Sequence, residues 1–314
     1  MSKDTPNANI GDSMDQKSNI LFAKKHIVEN IYSSVKIEGL ALTFPETAQI
    51  IENKDIKNYY NDEVDFVNDL KHTWQYIFTN INNTVDIQLL KNINRLAGKF
   101  TVINAGKIRY IWDEPIFVRG EHGEVVYTPP VPPKESVIDK ELKDRYSIED
   151  KTDAALELYL YIAKAQLFND GNKRTASLIC NMVLIQNGCG IFIVPNDLDL
   201  EFKRKLVSYY VNDDAESFKA FLKENCVFLP KEYSIGQKIQ LLREKDNMSR
   251  AEFSDQFGIT EDMLVMIEKD KVRPSQDIIN KIAEHYEIDQ SRLVESPDSP
   301  DSTVFSLESS TGRK

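Results

Sequence analysis

Between Gln166 and Thr175 the chain reads Gln-Leu-Phe-Asn-Asp-Gly-Asn-Lys-Arg-Thr, a cluster of residue types suited to holding an anion. Gly171 lets the backbone turn tightly and come close to a ligand. A helix that begins at this point presents N–H groups without intrahelical partners, and its dipole favours negative charge there. Lys173 and Arg174 add two cations at that same end. Cations are unfavourable at a bare helix N-terminus, and a bound phosphate resolves the conflict. Asp170, the one carboxylate of the segment, is placed to carry a magnesium ion bridging phosphates. Asn169, Asn172 and Thr175 supply further polar contacts. The alternative is an ordinary inter-helix turn with an exposed Lys-Arg pair.

The elements around this segment are mainly helical. Apolar residues recur at helical spacing from Ile20 to Ile37, and Gly39 stands where a helix stops. Further helices are expected after Pro45, over 63–79, 87–97, 134–145 and 150–165, and from Lys173 to Gln186. Ile108, Tyr110 and Trp112 alternate with polar residues, as do Val125 and Tyr127, and a turn-like run of residues 119–124 lies between them. That pattern predicts a β-hairpin, ended by the prolines of residues 129–133. Ile191 to Pro195 reads as one short strand. Residues 1–19 are expected to be disordered, 20–225 to form one domain, 226–234 a linker, 235–290 a compact all-helical unit and 291–314 a disordered tail.

The segment Phe168 to Thr175 resembles the signature of Fic and Doc proteins, His-x-Phe-x-(Asp/Glu)-Gly-Asn-(Gly/Lys)-Arg. Residues 104–109 followed by 126–130 are similar to the family's flap, and Ala154 to Leu158 to the helix before its signature. The resemblance implies a helical domain with a β-hairpin flap that binds ATP and Mg2+. Such a domain transfers AMP, or in Doc-type relatives a phosphoryl group, to a hydroxyl of a target protein. It assigns the metal to Asp170, and nucleotide contacts to Asn169, Gly171, Asn172, Lys173, Arg174 and Thr175. Phe168 becomes a buried anchor, and the flap holds the target as an added strand.

Three positions depart from the pattern. Gln166 occupies the place of the histidine that takes the proton from the attacking hydroxyl, and an amide does not titrate near neutrality. Loss of a general base lowers a rate by about 10²–10⁴. His122, in the hairpin turn, is a candidate replacement, against an ordinary surface histidine. Lys173 is the Doc-like choice, and Ser177 replaces a second arginine. Ser34-Val35-Lys36-Ile37-Glu38-Gly39 resembles the family's inhibitory motif, so Ser34, Glu38 and Gly39 imply a glutamate presented to the phosphate site. With Ser177 in place of the arginine, its partner is expected to be Arg174 or Lys173. The other reading is a helix end capped by Gly39.

Residues 235–287 resemble the helix-turn-helix domain of Cro and lambda repressor. Ser249 and Glu252 form a capping box, Gly258 makes the turn, and Thr260 caps the recognition helix. Met263, Leu264 and Ile267 are expected on that helix's core face. Arg250, Lys269, Lys271 and Arg273, with Thr260, are the expected DNA contacts. Against this, residues 234–289 hold 8 Lys/Arg and 12 Asp/Glu, and the whole chain carries −11 (39 − 50). An acidic background repels nucleic acid, so a protein–protein module is the competing reading. By analogy with repressors that pair, a homodimer is expected. The 3 cysteines, without Cys/His ligand spacing, fit a reducing cytoplasm. No apolar run of about 18 residues predicts a membrane span.

Overall fold

The structure is a computed structural model that describes residues 14–54, 61–120, 123–230, 234–269 and 271–294. The chain divides after Leu229 into two compact units, each with its own apolar core. His122 lies outside the described residues, as do 1–13, 295–314 and Asp270.

The larger unit begins with α1 (Gln16–Lys25), α2 (Ile27–Ile37), α3 (Phe44–Ile51), α4 (Asn61–Thr79) and α5 (Ile87–Ala97). A hairpin, β1 (Val118–Arg119) and β2 (Val125–Tyr127), follows. Next come α6 (Glu135–Tyr146), α7 (Lys151–Ala165), α8 (Asn172–Gln186), β3 (Ile191–Phe192), α9 (Asp199–Asn212), α10 (Ala215–Asn225) and β4 (Val227–Phe228). At the centre α7 and α8 pack on each other; α5, α1 and β3 cover α8, while α6 and α10 cover α7. Almost every residue of α8 is buried, from Thr175 to Ile185 apart from Ser177. A helix apolar on most sides belongs in a core rather than on a surface.

Several expected boundaries move. The predicted Ile20–Ile37 helix is two helices broken at His26. Residues 16–19 are not part of a disordered lead-in: Asp15 caps α1, and the buried Asn19 amide donates to the carbonyls of Leu184, Ile185 and Gly190. The first hairpin arm is Val118–Arg119, not Ile108 to Trp112. Ile108 makes a single bridge to Phe168 instead, and Tyr110 stacks on Trp112 in an exposed loop. Residues 226–229 are not linker: Cys226 is buried and β4 pairs antiparallel with β3. These short pairings are fixed by tertiary contact, which local alternation does not encode.

The smaller unit contains α11 (Ile235–Lys245), α12 (Arg250–Phe257), α13 (Glu261–Glu268), α14 (Gln276–His285) and α15 (Ser291–Val294). Its core includes Ile239, Phe253, Phe257, Leu264, Ile267, Ile279, Ile282 and Leu293. Leu293 shows that the fold runs past 290, into the expected tail. Each of α11, α12, α13 and α14 starts at a Ser or Thr whose hydroxyl accepts from the third residue onward. Among the described residues of both units, no helix is long and apolar enough to cross a membrane.

Asn181 locks β3 to α8. Its amide nitrogen donates to Phe192 O at 2.9 Å and Asn30 Oδ1 at 3.1 Å, and its Oδ1 accepts from Phe192 N at 2.8 Å. Asn181→Ala strands both buried backbone groups of Phe192, and each orphaned group costs about 1–3 kcal/mol. The larger unit should unfold at clearly lower denaturant in a two-transition melt, while the transition of the smaller unit stays in place.

Candidate functional site

The loop between α7 and α8 is held by side chains from three directions. Gln166 ends α7 in the left-handed region, at φ 44°. Such a conformation costs a non-glycine residue about 1–2 kcal/mol, so surrounding contacts must impose it. Arg109, itself buried, donates from Nε to the Gln166 carbonyl at 2.7 Å and from Nη2 to the Pro130 carbonyl at 2.7 Å. Burial lowers the pKa of this guanidinium. The Arg109 N–H also donates to Leu167 O at 2.9 Å, beside the Ile108–Phe168 bridge.

Asn172 ties the loop internally. Its Oδ1 accepts from Phe168 N at 2.9 Å, and its amide nitrogen donates to Phe168 O at 2.7 Å and Gln166 Oε1 at 3.1 Å. From below, Asn94 on α5 donates to Asp170 O at 3.1 Å and Thr175 Oγ1 at 3.0 Å, and accepts from Gly106 N at 2.7 Å. Gly171 then opens α8 at φ 75°.

The Gln166 amide is enclosed. Its nitrogen donates to Ala163 O at 2.7 Å and lies 3.4 Å from the Tyr210 hydroxyl, while its oxygen accepts from Asn172. Tyr210 gives its own proton to Ala163 O at 3.1 Å, and burial raises its pKa.

Charge gathers at the start of α8. Lys173 Nζ stands 3.3 Å from Glu38 Oε2 and Arg174 Nε 3.7 Å from Glu38 Oε1. Arg174 is buried. It donates from Nη1 to Ala97 O at 3.0 Å, reaches Asp170 Oδ2 at 3.3 Å, and sits over the Phe66 ring. Its Nε has no hydrogen-bond partner; the contact with Glu38 is ionic only. Asp69, buried near this cation, takes the Phe100 N–H at 2.9 Å, and burial raises its carboxyl pKa. Glu38 is held in place because Ser33 bonds both backbone groups of Val194, and Lys203 caps the end of α2 by donating to Lys36 O at 3.2 Å.

A cavity of about 730 Å³ opens over the loop. Glu38, Gln166, Asn169, Asp170, Asn172 and Lys173 line it, with apolar walls from Ile37, Phe117, Leu200 and Val207. Gly171, Arg174 and Thr175 lie outside this lining. The Thr175 hydroxyl is spent inside the fold, donating to Gly171 O at 2.8 Å. Ser34 bonds only within α2, to Asn30 O at 3.4 Å, and Gly39 ends that helix at φ 75°. The described histidines, His26, His72 and His285, are absent from the lining. Of the residues sequence reasoning missed, Asn94 left a signal: an amide between Leu90, Ile93 and Ala97 on an apolar stripe. Arg109, Tyr210 and the wall residues Arg119 and Arg204 left none.

In the smaller unit Thr260 Oγ1 accepts from Met263 N at 3.2 Å, capping α13 as expected. Met263 is not on the core face: it is 42% exposed, as is Met266, while Leu264 and Ile267 are buried. Over the short α13 the stripe that packs is 264, 267 and 268. Arg250 Nε pairs with the buried Glu268 at 2.8 Å, and Arg243 Nε binds the same carboxylate at 2.6 Å. Lys269, Lys271 and Arg273 are exposed after α13, and Glu261 and Asp262 are exposed at its front.

Residues 84–184 match the model of the Fic/DOC family, and residues 239–289 that of the helix-turn-helix family. Among solved structures, the chain is similar to Fic-1 from C. elegans (TM-score 0.55, 18% identity, 68% of this chain and 64% of that one). It is similar to a Fic domain containing signaling protein from Bacteroides thetaiotaomicron (TM-score 0.54, 19% identity, 67% and 85%). It also resembles a Fic family protein from Desulfovibrio desulfuricans (TM-score 0.51, 19% identity, 66% and 62%). At these identities the likeness is one of fold. No curated protein sequence matches.

A methyl group added at Gly171 meets Asn94 Nδ2 at 3.1 Å on a backbone at φ +75°. Gly171→Ala should therefore destabilise the larger unit by about 1–2 kcal/mol. Raised amide exchange should concentrate at 166–175, and a uniform increase across the unit would contradict this account.

Proposed function

For a chain that carries a Fic/DOC domain followed by a helix-turn-helix domain, we propose that the larger unit binds ATP with Mg2+ over the α7–α8 loop and transfers AMP, or a phosphoryl group, from it. The observation that carries this reading is the start of α8: a left-handed glycine, a helix N-terminus without a side-chain cap, Lys173 on the cavity wall and the buried Arg174 behind it. Asn169, Asn172 and Lys173 are the proposed nucleotide contacts, with Gly171 and Arg174 behind them and Thr175 holding the turn.

Asp170 fits a magnesium ion. Its side chain is 60% exposed at the cavity wall. Mg2+ is commonly bound by one or two carboxylates together with substrate phosphates, so a lone aspartate suffices. When bound, the ion neutralises phosphate charge. The chain's own part is to position: Asn172 fixes the turn, α8 offers its N–H groups, and Arg174 supplies a buried positive field.

Toward a hydroxyl of a target protein the transfer is slow, because Gln166 takes no proton. Glu38 restrains the site further by occupying Lys173 and Arg174. The enclosed Gln166 amide favours a second reading, in which the domain binds nucleotide without turnover and the smaller unit, working as a DNA-binding pair in the cytoplasm, responds. Incubation with α-labelled and, separately, γ-labelled ATP separates these. Label transfer by the natural chain, increased by Gln166→His and by Glu38→Gly, supports the enzyme. Binding with transfer only in Gln166→His supports the sensor, and absence of any ATP binding sinks both.

DNA contact is proposed through Lys269, Lys271 and Arg273, with Thr260 at the helix front and Arg250 held back by Glu268. Replacing the three cations by alanine should reduce the salt dependence of binding to the chain's own promoter by about one unit of log–log slope per lost phosphate contact. Salt-independent binding, or none at low salt, would assign this unit to protein contacts instead.

A further inference from the structure

The cavity holds an anion loop but no described group free to accept a proton. Gln166 does not titrate and has both amide ends bonded. Tyr210 has committed its proton to Ala163 O. Of the wall carboxylates, Glu38 faces Lys173, Asp170 faces Arg174 and the Gly171 N–H, and Glu124 is likewise engaged. A nucleophile that must shed a proton is poorly served here.

Two arginines on other walls suit a different nucleophile. Leu200, Arg204, Val207 and Tyr210 line the cavity at helical spacing along α9. Tyr210 touches Gln166, and Arg204 lies six residues earlier, about 9 Å along the helix axis at 1.5 Å per residue. Arg204 is exposed, and no hydrogen bond or ion pair joins it to another described residue. Arg119 lines the cavity from β1; Gly123 O takes one of its donors at 2.7 Å, out of the five a guanidinium carries. Both line the same cavity, and a guanidinium fork matches the oxygens of a phosphate.

We propose that the acceptor at this site is a phosphate group, held by Arg204 and Arg119. This rests on the nucleotide-binding reading above. An oxygen of the acceptor phosphate attacks the α-phosphorus of ATP and forms a new P–O bond. The bond from the α-phosphorus to the oxygen bridging to the β-phosphorus breaks, and pyrophosphate leaves with that electron pair. The product is a phosphoanhydride of AMP. Nothing is oxidised or reduced, and the attacking oxygen has no proton to lose, so Gln166 is no handicap. With inorganic phosphate as the probe, the products are ADP and pyrophosphate.

The test uses the full chain with ATP and Mg2+. Calorimetry first measures binding of an ATP analogue with a non-hydrolysable α,β-bridge, then binding of inorganic phosphate to that complex. Labelled phosphate with ATP is then followed into the β-position of ADP, which hydrolysis of ATP cannot label. The expected results are phosphate binding to the nucleotide complex and β-labelled ADP released with pyrophosphate. Arg204→Ala should weaken phosphate binding by about tenfold or more while nucleotide binding persists, and Arg204→Lys should restore part of it. Nucleotide binding without phosphate binding or label overturns the proposal and leaves the nucleotide reading intact, as does acetate or a serine peptide accepting AMP where phosphate does not. Absence of nucleotide heat in the first step overturns both, and the order of the steps tells the two failures apart.

Discussion

Arg109 joins two carbonyls that no helix or sheet satisfies, those of Gln166 and Pro130, each at 2.7 Å. A buried guanidinium is expensive to desolvate, and carbonyl dipoles compensate it without a carboxylate. The bond to Gln166 holds the left-handed turn that ends α7. The bond to Pro130 fixes the chain leaving the β1–β2 hairpin. Remove this cation and the α7–α8 loop and the hairpin exit lose the one side chain that bonds to both, leaving Asn94 and Asn172 on the loop and Tyr127 on the hairpin. The cavity is bounded by both the loop and the hairpin, so this side chain, which does not line it, ties two of its walls together.

Beneath the loop the polar groups are only partly satisfied. Arg174 is buried with its Nε unpaired, and Glu38 approaches without hydrogen bonding it. Asp69, a second buried group near the same cation, has an oxygen without a partner. Partly satisfied polar clusters in a core are unusual, and each needs a reason. An anion at the start of α8 would meet Lys173 and the field of Arg174 while displacing the contact with Glu38. On the proposed reading, Glu38 is the partner the cations keep until a phosphate arrives.

The main helices were legible because periodicity and capping are local: Asp86, Asp150 and Ser249 each begin a helix where the apolar stripe starts. The α7–α8 loop was legible because its glycine, asparagine and cations are contiguous. What failed was decided at a distance. Ile108, Tyr110 and Trp112 alternate like a strand, yet only Ile108 finds a partner, Phe168, sixty residues later. β3 falls within the strand expected from Ile191 to Pro195, but its partner β4 is two residues long, too short for alternation to register. Met263 was misplaced because α13 is only eight residues long, and a stripe of two or three apolar positions does not fix the angle of its buried face. The structural part of Arg109 has no local signal, since nothing in the sequence shows which carbonyls will lie beside it.

Gln166 bears on how far this site stands from a proton-transferring one. Its amide nitrogen donates to Ala163 O and, at 3.4 Å, to the Tyr210 hydroxyl, and its oxygen accepts from Asn172. A neutral imidazole likewise carries a donor and an acceptor nitrogen, but unlike the amide it titrates near neutrality. The backbone there is set by Arg109 and the loop, not by the identity of this side chain. What the amide changes at this turn is the chemistry: a polar group that hydrogen-bonds within the fold and does not titrate. On the proposed reading, glutamine is compatible with a nucleophile that carries no proton, or with a ligand that is bound and not consumed.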